Sequence, residues 1–117
     1  ARPAGAAFEA LTARVGKVYA YAPDGAGFRA RMFAPGSGVP EDPATGSATA
    51  TLAAPLLAAG VLPEGETRLS LRQGVEMGRP SQLGLRITVR GGALAQVRVS
   101  GRAVPVAQGR IRIPEDT

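Results

Sequence analysis

The segment that most restricts the fold is an uncharged stretch, residues 43–63, which follows two acidic residues directly. It is rich in alanine and leucine, so it is predicted to form a helix that ends near Gly60. Its length approaches that of a membrane span. Ser47, Pro55 and several threonines dilute it, however, and no aromatic belt or cationic flank marks its ends. We therefore predict a helix in the protein core, with no membrane partner, and a kink or break near Pro55.

Most of the remaining chain alternates apolar and polar residues with the period of two that is typical of β-strands. The runs with this pattern are GKVYAYA, FRARMF, TRLSLRQG, LGLRITVRGG, ALAQVRVSG and AVPVAQGRIRI. The first two should form a hairpin around Asp24-Gly25. GAAFEALTARVG has helical spacing, and APGSGVPEDPATG is predicted as an irregular loop. With 117 residues, the chain is expected to be one α+β domain whose sheet wraps around the long helix.

Cysteine and histidine are both missing, and their absence excludes several chemistries. The chain has no cysteine, so disulfides, thiol nucleophiles and cysteine-ligated metals are excluded. It has no histidine, which is the commonest general base near neutral pH. Acid or base chemistry therefore depends on Asp or Glu, and less plausibly on Lys17 or a tyrosine. A chain without cysteine fits the cytoplasm, which is the predicted location.

The formal net charge of +5 raises the possibility of nucleic-acid binding. All but Lys17 of the 14 cationic residues are arginines, and they are scattered along the sequence. Several alternate with Ile or Val, which is typical of a strand with one face in water. Aromatic residues make up only 4% of the chain, which leaves little for base stacking. We therefore predict that nucleic acid is not a partner.

The segment EDPATGSA precedes the long helix and allows two interpretations. Asp42 can be an N-cap, with Pro43 at the first helical position. Alternatively, the unpaired N–H groups at the helix start bind an anion, which Gly46 lets approach and to which Ser47 donates its hydroxyl. No phosphate-loop or dinucleotide-binding motif is present. The residue types alone leave both interpretations open.

Two longer segments resemble the PhzF-type phenazine-biosynthesis-like isomerases. They are RMFAPGSGVPEDPATGSATATLAAPLL and RQGVEMGRPSQLGLRITVRGGALAQVRVSGRAVPV, and with GKVYAYAP they cover nearly the whole chain. The family has the diaminopimelate epimerase-like fold, in which two similar halves flank a cleft. Each half is a curved, mostly antiparallel sheet or barrel around a central apolar helix. The resemblance covers the C-terminal half only, so residues 1–117 are interpreted as that single half-domain.

The resemblance implies a role for each residue of the helix-start segment. Asp42 would be the catalytic residue of this half, taking part in substrate binding and proton movement. Gly46 and Ser47 would hold the substrate carboxylate, and Thr45 would lie beside them in the binding site. Related racemases have a cysteine at about the position of Thr45, so threonine here excludes a two-thiol mechanism.

The function implied is a cofactor-independent isomerisation or epimerisation, by proton transfer, of a small carboxylic acid. No metal, nucleotide or other cofactor is implied. The family's glutamate and histidine acid/base pair would lie in the N-terminal half, so this chain alone should be catalytically incomplete. Its expected partners are the small carboxylate substrate and the missing N-terminal half-domain, and a homodimer with a second copy is also considered. The alternative is a free-standing carboxylate-binding or dimerisation module without activity.

Other polar and aromatic residues are given structural roles. Glu41 is predicted to be a solvated loop acid, and Tyr19 and Tyr21 are predicted to be packing residues on a strand. The group that follows the third run, Glu76, Met77 and Arg79, is expected to shape a strand edge near the cleft.

Overall fold

The structure, a computed structural model, describes residues 3–115 and consists of one six-stranded sheet with two of its helices packed on the core face. The elements in chain order are α1 Ala6–Val15, β1 Val18–Asp24, β2 Gly27–Ala34, a 3₁₀ turn Pro35–Ser37, β3 Val39–Asp42, α2 Gly46–Thr51, α3 Ala53–Ala58, β4 Gly65–Gln73, β5 Ser81–Arg90 and β6 Ala93–Ser100. The α+β class expected from the sequence is confirmed.

The strand order is β1-β2-β4-β5-β6, and the short strand β3 pairs with β2. All pairings are antiparallel except that of β2 with β4, in which Phe28 lies opposite Leu71. The helices α2 and α3 form the crossover that this parallel pairing requires. Gly27 permits the close approach, because a Cβ there would collide with the backbone oxygen of Ser70. The hairpin of β1 and β2 turns at residues 25–26, as expected.

The core lies between the sheet and the two crossover helices. Alternate residues of β5 are buried, from Leu83 through Leu85 and Ile87 to Val89. From the crossover, Leu52, Ala53 and Leu56 belong to the same hydrophobic cluster. The other face of β5 is partly exposed, so the period of two in the sequence is reproduced in the burial pattern.

The crossover helix is not enclosed by the sheet, which corrects one expectation. The sheet is open, and one side of the helix, including Ser47, Thr51 and Ala54, is exposed. The reason is its composition, because alanine carries so little apolar surface that an uncharged helix can leave it in water. The expected break is present at Leu52, three residues before Pro55, which has no N–H to donate to the preceding turn. No helix within residues 3–115 is long and apolar enough to cross a membrane.

Two strand predictions were wrong. Residues 101–115 contain no regular structure, although their apolar residues alternate with other residues. Two of these apolar residues, Val104 and Ile111, are 83% and 94% exposed. Conversely, part of the expected irregular loop forms β3. Helix α1 is present as predicted but has no buried residue, and Phe8 contacts Phe33 edge-on with ring centroids 5.5 Å apart.

Candidate functional site

The acidic segment and the start of α2 are joined by a side-chain hydrogen bond. Asp42 is the last residue of β3, and Thr45 is the N-cap residue of α2. The Thr45 hydroxyl donates to the Asp42 carboxylate, and no side chain of the described residues caps the helix. Asp42 is therefore not the N-cap, so that interpretation of the sequence was wrong. Thr45 orients the carboxylate instead of closing the helix end.

Gln73, at the end of β4, holds Asp42 and Thr45 in place through both the nitrogen and the oxygen of its side-chain amide. Its Nε2 group donates to the backbone oxygen of Asp42 at 2.7 Å and to the Thr45 hydroxyl at 2.9 Å. Its Oε1 atom accepts from the Thr45 N–H at 3.3 Å. Because Gln73 is fully buried, these bonds form where water does not compete. The direction of the Asp42–Thr45 segment is thus set by one buried amide.

Tyr19 and Thr49 extend the network into the core. The Tyr19 hydroxyl lies 2.9 Å from the Thr49 hydroxyl and 3.3 Å from Oε1 of Gln73. The Thr49 hydroxyl in turn lies 2.8 Å from the backbone oxygen of Thr45, to which it can donate. Burial raises the pKa of Tyr19 above its ordinary value, although the hydrogen bond with Thr49 opposes the shift. Tyr19 therefore remains a neutral hydrogen-bonding group at physiological pH.

Gly74 brings the end of β4 against the acidic segment. Its φ of 77° lies in the left-handed region, and a Cβ there would lie 2.9 Å from the Pro43 oxygen and would collide with the Arg79 oxygen. Only glycine meets both conditions without strain. Two consecutive residues at the end of β4 thus position the acidic segment. Gln73 hydrogen-bonds to Asp42, and Gly74 packs closely against Pro43.

A cleft of about 510 Å³ opens beside this network. Its lining residues are Lys17, Tyr19, Met32, Ala34, Ser37, Val39, Asp42, Thr45, Ser47, Ala48 and Thr51. Three of the four predicted site residues, Asp42, Thr45 and Ser47, therefore share one cleft. The fourth, Gly46, is not among the lining residues and lies on the β6 side of the helix start, where a Cβ would be 3.8 Å from Val99.

The cleft combines one carboxylate, one ammonium group and several hydroxyls. Asp42 can accept or donate a proton, whereas Lys17, Ser47 and Thr51 can bind an anionic or polar group. In the described part of the chain, no three carboxylate, histidine or cysteine side chains are grouped so as to hold a metal ion. The arrangement is suited to binding a small carboxylate close to an acid/base group.

Comparison with known protein families gives a match over most of the chain. The model of the phenazine biosynthesis-like protein family matches residues 9–109. The chain belongs to this family.

Several curated relatives of the chain are named as isomerases. An uncharacterized isomerase of Mesorhizobium japonicum is 46% identical over 86 residues, which cover 74% of this chain and 28% of the relative. The trans-2,3-dihydro-3-hydroxyanthranilate isomerase of Pseudomonas aeruginosa is 42% identical over 93 residues, covering 80% and 33%. An uncharacterized isomerase of Deinococcus radiodurans is 44% identical over 95 residues, covering 79% and 31%. The chain thus spans about a third of the length of these relatives.

The sequence did not predict several residues of the site. Gln73 and Thr49 were not singled out, and Tyr19 was assigned to packing alone, although its hydroxyl belongs to the network. A signal for Gln73 existed, because a glutamine at an inward strand position must find polar partners in the core.

One acidic residue near the cleft, Glu41, also differs from expectation. Glu41 is not a solvated loop acid, since its carboxylate accepts two hydrogen bonds from Arg31, at 2.9 and 3.0 Å, and its side chain is 14% exposed. Glu76 pairs with Arg29 at 3.0 Å. Glu76, Met77 and Arg79 do not line the cleft.

Proposed function

We propose that this chain supplies the Asp42 side of the active site of a cofactor-independent isomerase or epimerase, which moves a proton within a small carboxylic acid. The observation that carries the proposal is the fixed position of the Asp42 carboxylate. Thr45 orients it, buried Gln73 holds both residues, and the side chain lines a cleft. Curated relatives that are named isomerases support the reaction class.

The network suits proton transfer because it removes freedom from the reacting group before substrate arrives. An acid/base group acts only within hydrogen-bonding reach of the proton that it moves. A carboxylate held by the Thr45 hydroxyl, on a backbone held by Gln73, therefore needs little reorganisation. Thr45 engages Oδ2 of Asp42, which leaves Oδ1 to exchange a proton with the substrate carbon. The hydroxyl of Thr45 plays the part of a donor and is not itself the base.

The substrate carboxylate is proposed to bind at the start of α2. Ser47, which lines the cleft, contributes its hydroxyl, and the N–H groups of the first helical turn, at Gly46 and Ser47, add donors, although Gly46 itself lies on the β6 side of the helix start. Lys17 lines the same cleft and adds a positive charge. The Ser47 hydroxyl and the N–H groups of the first helical turn would also stabilise negative charge that develops on the substrate as the proton leaves carbon.

The second acid/base group is proposed to come from outside residues 1–117. The resemblance described above assigns a glutamate and a histidine to an N-terminal half, and this sequence contains no histidine. The complete protein would then be a diaminopimelate epimerase-like pair of halves, with the Asp42 cleft facing the missing one. On this proposal residues 1–117 alone show no turnover. Turnover by this segment alone would place the second acid/base group among its own residues.

The test is proton exchange in deuterated water, with the protein as its gene encodes it and a panel of small 2-hydroxy, 2-amino and unsaturated carboxylic acids. We expect deuterium incorporation at carbon for at least one acid, detected by proton NMR. Asp42→Asn should lower the exchange rate by at least about tenfold and up to ~100-fold. The matched control is Asp24→Asn, since Asp24 pairs with Arg72 and does not line the cleft.

Two results would contradict the proposal. If Asp42→Asn exchanges deuterium as fast as the control, Asp42 is not a proton-transfer group. If acids bind in the cleft but none exchanges, the protein is a carboxylate-binding module. Thermal unfolding of both variants shows whether a lost rate reflects lost folding.

A further inference from the structure

Three arginines form a row across the face of the sheet that is turned away from α2 and α3. Arg68 on β4 lies directly opposite Arg86 on β5, and Arg86 lies directly opposite Arg98 on β6. Adjacent strands are about 4.8 Å apart, so the three arginines form a positively charged patch roughly 10 Å wide across the strands. Like charges directly opposite one another destabilise a sheet. The row is therefore costly to the fold unless something else offsets it.

One carboxylate offsets part of this charge. Glu66 accepts a hydrogen bond from Nε of Arg68 at 2.8 Å, and its other oxygen lies 3.7 Å from Nε of Arg86. The hydrogen bond from Arg68, helped by the charges of Arg86 and Arg98, holds the pKa of Glu66 below its ordinary value. Three cations thus face one anion, and no second carboxylate among residues 3–115 pairs with the row.

The row borders a recess of about 300 Å³. Its lining includes the three arginines, Ser100 and Gly84, together with Leu69, Leu85 and Val99. Gly84 precedes Arg86 by two residues and so lies on the same face of β5. Its φ is not in the left-handed region, so the backbone conformation does not require glycine. A Cβ there would lie only 2.5 Å from the Ser100 hydroxyl. The absence of a side chain at Gly84 is what keeps the recess open.

We propose that this recess is a binding site for a compact dianion, namely phosphate or the phosphate group of a small ester. The uncompensated charge of the row matches a dianion. Guanidinium groups bind oxyanions through paired N–H donors, and the Ser100 hydroxyl adds a donor. The volume is that of a small-molecule site. Strands β4–β6 contain no Phe, Tyr or Trp, so the face cannot stack nucleic-acid bases.

The site is separate from the Asp42 cleft. The cleft is lined from β1, β2, β3 and α2, whereas the recess is lined from β4, β5 and β6, and the two share no residue. A ligand in the recess is therefore not the isomerase substrate, and the proposal holds whether or not Asp42 is catalytic.

The test is a titration of the protein, as its gene encodes it, with inorganic phosphate and with glycerol 3-phosphate, followed by calorimetry or phosphorus NMR. Both should bind, and the tighter of the two identifies free phosphate or an ester as the ligand. Arg86→Gln should weaken binding at least about tenfold, and Arg86→Lys should restore only part of it because lysine lacks the bidentate fork. Arg90→Gln is the matched control. It removes the same charge from the same face of β5, four residues away and outside the recess.

A second variant separates shape from charge. Gly84→Val fills the recess without changing the net charge and should abolish binding, while its thermal midpoint shows that it folds. The proposal is overturned if Gly84→Val binds phosphate normally, or if Arg90→Gln weakens binding as much as Arg86→Gln. Tighter binding of a single-stranded oligonucleotide than of phosphate, or no binding of either phosphate probe at millimolar concentration, overturns it as well.

Discussion

The side-chain amide of Gln73 donates a 2.7 Å hydrogen bond to the backbone oxygen of Asp42, which joins the end of β4 to the end of β3. The two residues are 31 positions apart and lie in the two segments that carry the family resemblance. The same amide contacts the backbone and side chain of Thr45. Gln73 is therefore the positioning residue of the cleft, and its role can be tested by measurements of stability and turnover together.

Replacement of Gln73 by methionine should destabilise the protein by about 1–3 kcal/mol, because polar groups of Asp42 and Thr45 would lose their buried partner. Turnover should fall as well, since the carboxylate would no longer be held in one direction. Gln82→Met is the control, as Gln82 is exposed and its hydrogen bond to Ser70 is long, at 3.3 Å. Chemical denaturation measures the free energy of unfolding of both variants. An equal loss in the two variants would mean that the network does not stabilise the site.

The close packing of Gly74 against Pro43 gives a second prediction. Gly74→Ala should destabilise the protein by more than the roughly 1–2 kcal/mol that the left-handed backbone alone imposes on alanine, since its Cβ would meet the Pro43 and Arg79 backbones. Gly78→Ala isolates the backbone effect, because Gly78 has a φ of 74° and open space around its Cβ position. Thermal unfolding of the two variants should show the larger loss for Gly74. Equal losses would show that the contact with Pro43 is unimportant.

The hairpin, the strands β4–β6 and the break near Pro55 could be predicted because each depends on local pattern. Period-two alternation, a Gly-containing turn and a missing N–H act within a few residues. The failed predictions depend on distant partners. Strand β3 forms because β2 offers it an edge, and residues 101–115 alternate equally well but have no strand beside them among the described residues.

The candidate site divides in the same way. Asp42, Thr45 and Ser47 could be identified because they lie in one short segment of the chain. Gln73 could be recognised only as a buried polar residue that needs partners, because the partners themselves depend on a pairing of β4 with β2 that brings position 73 next to position 42. The bidentate pair of Glu41 and Arg31 was missed for the same reason, since only the folded sheet brings β3 beside β2.

That pair gives a third prediction. Glu41→Gln should destabilise the protein by about 1.5–3 kcal/mol, the usual range for a hydrogen bond to a charged group, because both side chains are largely shielded, at 14% and 19% exposure. Asp24→Asn breaks the more exposed pair with Arg72 and should cost less than about 1 kcal/mol. Urea denaturation of both variants decides the matter. A Glu41 variant no less stable than the Asp24 variant would refute the structural role of the pair.

The raised pKa of Tyr19 predicts how stability depends on alkaline pH. Because burial favours the neutral hydroxyl, the folded state keeps its proton at a pH where the unfolded chain has lost it. The stabilisation is complete below the ordinary tyrosine pKa of about 10 and is lost as the pH rises through the folded value. Thermal midpoints between about pH 9 and 11.5 should thus fall less steeply in Tyr19→Phe than in the parent. Tyr21→Phe is the control, and an unchanged slope in Tyr19→Phe would refute the assignment.

Lys17 gives the last prediction, which concerns substrate binding. It contributes the cationic group of the cleft, and a carboxylate bound beside Ser47 would lie within the field of its ammonium group. Lys17→Gln should therefore raise KM for the acid that exchanges deuterium by about tenfold, equivalent to about 1.4 kcal/mol, and should leave kcat nearly unchanged because the proton is moved by Asp42. Arg14→Gln removes one positive charge three residues earlier in the chain, at a residue that does not line the cleft, and it should leave KM unchanged. If kcat falls in Lys17→Gln while KM does not change, Lys17 takes part in the chemical step. If neither constant changes, the substrate carboxylate binds elsewhere.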